Sequence, residues 1–299
     1  MTVDCAMYKT RLFAPLVFIL LISLSSTSCH RQNKNADTIS VSIEPLRFIT
    51  EQIVGNDFQI QVLVPPGSSP ETYEPTSAQM LQTARSKVFI DIGLLDFEAN
   101  LEQAIRKNMP QVALIKSSDR VPLLAGHCGH THLDDEQAHG IDPHIWLSPT
   151  RLKIIAENIY NGLSTIYPDS IQYKTNFDAL CRKIDSLDST LNSLLTSQEK
   201  GFLIYHPALT YLAADYGQNQ ISVEVEGKEP SAAYLSRLID TAKTLKITKI
   251  LYQKQFDKST IEAIAAELHL TPVVIDPLEE NVLENIEFLA RLIADSCSQ

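Results

Sequence analysis

Broad basic surface, paired cysteines and long apolar runs are all missing from this chain, and each gap narrows its function. Its 25 basic residues against 36 acidic ones give a formal charge of -11. That balance argues against a nucleic acid or anionic lipid held by basic patches and is compatible with a cationic ligand. Its five cysteines include no CxxC pair, and Cys128, Cys181 and Cys297 lie far apart in sequence. An exported form therefore has at most one intramolecular disulfide, with one thiol left over. No HExxH motif occurs, so the commonest sequence sign of a zinc hydrolase is missing. No apolar run is long enough to span a bilayer as a stable helix. What remains, 44% hydrophobic and 20% charged over 299 residues, is a globular chain whose length favours two lobes.

Lys9 and Arg11 precede an apolar run over residues 12–24, the pattern of a secretory signal. Ser25, Ser26, Thr27 and Ser28 then lead to Cys29, which resembles a bacterial lipoprotein cleavage site, although Ser26 stands where Leu is usual. The expectation is removal of residues 1–28, lipidation of Cys29 and a polar tether over 29–37. An ordinary signal peptide with an incidental Cys29 is the alternative.

From residue 38 short β-rich runs alternate with amphipathic segments, as in parallel α/β sheets. Strands are expected over 39–43, 58–64, 88–92 and 112–115, with helices over 45–54, 77–86 and 96–108. The rhythm returns with strands over 202–205, 221–225, 250–253 and 272–275 and helices over 208–216, 231–245, 259–268 and 280–294. Between the two sets, a helix over 149–166 ends before Pro168, and a second begins near Asp169 or Ser170. In that second helix Phe177, Leu180, Ile184, Leu187, Leu191 and Leu194 form one stripe at spacings of three and four. The fold class expected is α/β: two βα lobes with parallel sheets, 38–168 and 199–299, joined by one rigid helix over 169–198. At ~1.5 Å per residue, the roughly 28 residues from the Asp169 or Ser170 cap to about Ser197 make a rod roughly 42 Å long.

Five of the eight histidines fall within residues 127–144, and imidazole is the commonest protein ligand for a borderline metal. Ligands of parallel sheets gather outside the carboxyl ends of the strands. Four candidates stand in such places: Glu71 after the second strand, His144 after the histidine-rich loop, His206 after the fifth strand and Asp276 after the last. Two imidazoles and two carboxylates across a cleft would make a four-ligand site for a divalent transition metal. Each residue alone also reads as a turn former, a helix cap or a satisfied polar group.

The segments Pro66-Gly67-Ser68-Ser69-Pro70-Glu71-Thr72-Tyr73-Glu74-Pro75, Asp142-Pro143-His144-Ile145-Trp146-Leu147-Ser148-Pro149, Tyr205-His206-Pro207-Ala208, Glu226-Gly227-Lys228-Glu229-Pro230-Ser231 and Ile275-Asp276-Pro277-Leu278 occur in that order. Together they resemble the ZnuA-like (cluster A-I) zinc and manganese substrate-binding proteins of bacterial metal ABC transporters, over nearly the whole mature chain. The resemblance implies a metal held between the lobes, delivery to an ABC transporter permease, a cell-envelope location and a monomer. Its first ligand is usually His, where this chain has Glu71. Either the carboxylate binds or water completes the shell. The resemblance also implies that His127, His130, His132 and His139 form an auxiliary metal loop of the kind typical of zinc members. Zinc is the expected metal, with manganese the alternative because two carboxylates make a harder set. The rival classes are a secreted zinc hydrolase, which needs an open position for water and a general base, and an adhesin that binds metal incidentally.

Overall fold

The computed structural model describes residues 37–126, 140–195, 201–224 and 230–296. Each half of the chain builds one four-stranded sheet. In the first half β1 (Thr38–Val41), β2 (Gln59–Val62), β3 (Val88–Asp91) and β4 (Ala113–Lys116) lie in the order β2-β1-β3-β4. In the second half β5 (Gly201–Ile204), β6 (Asn219–Ser222), β7 (Lys249–Gln253) and β8 (Thr271–Ile275) lie in the order β6-β5-β7-β8. Every pairing between these eight strands is parallel. The central strands read as near-continuous apolar runs because helices cover both faces of a parallel sheet. All four residues of β3 and of β5 are accordingly buried.

The helices are α1 (Glu44–Val54), α2 (Ser77–Thr83), α3 (Asp96–Asn108), α4 (Pro149–Ile166), α5 (Ile171–Leu195), α6 (Thr210–Asp215), α7 (Ala232–Thr244), α8 (Lys258–Leu268) and α9 (Val282–Ala294). The 25 residues of α5 make a rod of about 37 Å. Its buried seam is Tyr173, Leu180, Ile184, Leu187, Leu191 and Leu195. Leu195 closes the seam in place of Leu194, which is only partly buried, and Phe177 lies at its margin, stacked on Tyr160 at 4.6 Å. The rod packs against α1 and α4 from the first half and α9 from the second.

One hydrophobic core therefore runs from the first sheet, through the seam of α5, to Phe202, Ile204, Leu251 and Ile275 on one face of the second sheet. Leu203, Ile250 and Tyr252 alternate to the other face, where they form a separate cluster with Tyr234 and Leu238 of α7 and Ile261 and Ile264 of α8. Strand ends differ from the sequence expectation by up to three residues. Leu63 and Val64, for example, lie past the end of β2 yet still donate to Val41 O and Ser42 O. The carboxyl ends of both sheets lead into the loops that carry Glu71, His144, His206 and Asp276.

Candidate metal centre

Glu71 is presented by a loop that the sequence stiffens at three points. Ser68 N donates to Pro65 O at 3.2 Å across Pro66 and Gly67, and Gly67 has φ 82. Proline followed by a residue at positive φ is the pattern of a type II turn, which favours Gly at that position. Pro70 then opens a short 3-10 turn, Pro70–Thr72, that contains Glu71. Beyond it Thr76 and Gln79 make a capping box at the start of α2, and Gln79 Nε2 donates back to Leu63 O at 2.6 Å.

His144 emerges where the histidine-rich loop closes. Ala125 and Ile141 form an antiparallel bridge at the loop's root, with Gly126 N donating to Gly140 O at 3.1 Å. Just beyond, Asp142 Oδ1 accepts from His144 N at 2.8 Å and lies 2.9 Å from His144 Nδ1. Burial alone would raise the Asp142 pKa, but the imidazole beside it and the bonds it accepts hold the carboxyl below its ordinary value. An ionised carboxylate can only accept, so Nδ1 carries the proton and Nε2 is left for a metal. Tyr211 of α6 steadies the same turn, its hydroxyl donating to Asp142 O at 2.7 Å and accepting from Leu124 N at 3.2 Å.

His206 follows β5, and its backbone carbonyl accepts from Gln253 Nε2 at 2.9 Å. Glu224, just past β6, lies 2.9 Å from His206 Nδ1. The other ring nitrogen, Nε2, is 3.3 and 3.2 Å from the two oxygens of Glu71. Burial lowers the pKa of this imidazole, yet Glu224 and Glu71 outweigh it and push the pKa up to about 10. Burial raises the pKa of Glu71 in turn, but His206 and His144 prevail and hold it below its ordinary value.

Glu71, His144 and His206 thus come together from both halves of the chain, each offering one ligand atom within 4.8 Å of the others. Glu71 Oε1 is 3.9 Å from His144 Nε2. Ligand atoms at zinc bond lengths on a tetrahedron are separated by about 3.4 Å, so these three positions fit a zinc ion with little movement. The pocket they share with Asp276 leaves space among them for about one ion or water. Asp276 lines the same pocket but stands outside that group of three. Its Oδ1 accepts from Leu278 N at 2.9 Å and its Oδ2 from Lys254 Nζ at 3.0 Å.

Asp142 and Glu224, the two carboxylates behind the imidazoles, are not among the candidates that the sequence picks out. Asp142 carries a local signal, since Asp two residues before His is the spacing at which a side chain accepts from the backbone. Glu224 carries none, because only the pairing of β5 with β6 brings it to His206. His127, His130, His132 and His139, together with Cys29, Cys128, Cys297 and residues 226–229 of the fourth motif, lie outside the described residues.

The sequence model of a family described as zinc-uptake complex component A, periplasmic, matches residues 39–294. The zinc-binding protein AdcA of Streptococcus pyogenes serotype M3 is 29% identical over 255 residues, 79% of this chain and 49% of its own. The zinc-binding lipoprotein AdcA of Streptococcus pneumoniae is 30% identical over 277 residues, 88% of this chain and 55% of its own. The chain thus spans about half the length of these curated relatives. A crystal structure of ZnuA superposes with a TM-score of 0.79 at 34% identity, covering 88% of this chain and 100% of that one.

Proposed function

This chain belongs to the family of periplasmic zinc-uptake complex component A, and on that footing we propose that it captures zinc outside the cytoplasmic membrane and delivers it to an ABC transporter permease. The observation that carries this reading is the convergence of Glu71, His144 and His206 within 4.8 Å. In this reading Asp276 supplies the fourth ligand, and Asp142 and Glu224 fix the two imidazoles with Nε2 toward the metal. A cavity sized for one ion favours an ionic cargo over an organic substrate. Cys29 anchors the chain by lipid, and the 127–139 histidines form a weaker auxiliary site.

Elemental analysis of the purified protein, followed by zinc and manganese titrations, tests the assignment. Zinc at one tight equivalent is expected, and His144→Ala should abolish it. A tight equivalent that survives His144→Ala would place the metal elsewhere, and manganese bound more tightly than zinc would make this a manganese carrier. For the anchor, Cys29→Ser should move the protein out of the membrane fraction; unchanged fractionation would show that Cys29 is incidental.

A further inference from the structure

Lys254 is the one lysine or arginine hydrogen-bonded to a candidate metal ligand among the described residues, and the sheet puts it there. Gln253 at the end of β7 pairs with Ile275 at the end of β8, so Lys254 and Asp276 leave neighbouring strands side by side. Lys254 Nζ lies 3.0 Å from Asp276 Oδ2, while Asp276 Oδ1 takes the backbone N–H of Leu278 at 2.9 Å. Both oxygens of the carboxylate are thereby engaged. The other three ligand groups meet without it.

Resting on the zinc-capture reading, we propose that Lys254 is an internal counter-ion that holds Asp276 in the metal-free protein, competes with the incoming metal for it, and so sets the ease of release. The backbone around Asp276 is pinned, because Asn285 Nδ2 donates to Asp276 O at 2.8 Å and Trp146 Nε1 donates to Pro277 O at 2.8 Å. The ion pair sits on the outer side of the pocket, with the Lys254 side chain 52% exposed and that of Asp276 22%. An exposed pair is weak and its ammonium is easily hydrated, so a divalent ion can displace it. Glu279 lines the same outer hollow as Lys254 and Asp276, which gives the released ammonium a second carboxylate nearby. When the metal leaves, Lys254 recaptures Asp276 and removes one ligand from the shell.

A weak latch closed about three-quarters of the time weakens the apparent affinity about fourfold. Lys254→Gln should therefore tighten zinc binding about fourfold in a chelator-competition assay, and zinc should dissociate more slowly in stopped flow with excess chelator. In an Asp276→Asn background, the same Lys254→Gln change should alter neither quantity, because nothing is left to latch. Equal tightening in that background would overturn the proposal and make Lys254 a source of plain charge repulsion. Lys254→Gln binding zinc as the wild type does, or more weakly, would overturn it too. Loss of the tight site in His144→Ala, measured alongside, keeps those failures distinct from failure of the zinc reading itself. Circular dichroism on each variant verifies folding.

Discussion

Among single residues, His206 is the one whose surroundings couple the candidate centre to pH. It sits between Glu224 and Glu71 with its pKa pushed up to about 10, so both ring nitrogens are protonated at neutral pH. If zinc binds at His206 Nε2 it displaces that proton, and about one proton should be released per zinc between about pH 7 and 8. Calorimetry in buffers of different protonation enthalpy measures that number, and zero release would contradict the assignment of His206. The same shift acts on folding. A pKa raised above its unfolded value of ~6.5 stabilises the metal-free fold fully below about pH 6.5, and the contribution fades as pH rises towards about 10. His206→Gln should flatten the fall of the melting temperature over that window. Asp142 and Glu224 act through geometry. Asp142→Asn or Glu224→Gln should weaken zinc binding roughly 10–100-fold while leaving one equivalent bound.

Among elements, the histidine-rich loop is closed at its base by its own backbone. The Ala125 and Ile141 bridge and the Gly126 to Gly140 hydrogen bond hold the two stems together, and Tyr211 bonds to both. Replacing residues 127–139 with a short turn should therefore leave the His144 turn in place. One tight zinc equivalent should persist in a calorimetric titration while weaker equivalents disappear. Loss of the tight equivalent would identify these histidines as primary ligands. The loop after β8 is held just as firmly, by Trp146 to Pro277 O and by Arg47, whose guanidinium is 2.7 Å from Glu280.

Across the whole molecule, the α5 rod and the continuous core tie the two sheets into one packed body. The candidate metal site draws its groups from both halves of that body, so a zinc ion held there would cross-link parts that must separate on unfolding. A ligand bound only by the folded state stabilises by about 2.7 kcal/mol at roughly a hundredfold excess over Kd. Zinc should thus raise the thermal midpoint, and more than manganese does at equal concentration. A larger rise with manganese would reverse the metal preference.

The α/β alternation, the 149–166 helix and the places of His206 and Asp276 just past β5 and β8 follow from hydrophobic periodicity and turn residues, which act over a few neighbours, whereas Glu71 and His144 stand in longer loops. Glu71 in place of the usual His is just as legible, since it is a departure at one position of a motif. Periodicity cannot supply pairing across the sheet. Glu224 behind His206 depends on β6 lying beside β5, and Lys254 on Asp276 depends on β8 lying beside β7. Whether Asp276 meets a metal or an ammonium is likewise beyond local pattern, because strand register places both partners. Residue type and chain order thus restrict which groups are able to bind a metal. Which of them meet is set by packing, because hydrogen-bonded register joins residues that lie far apart along the chain.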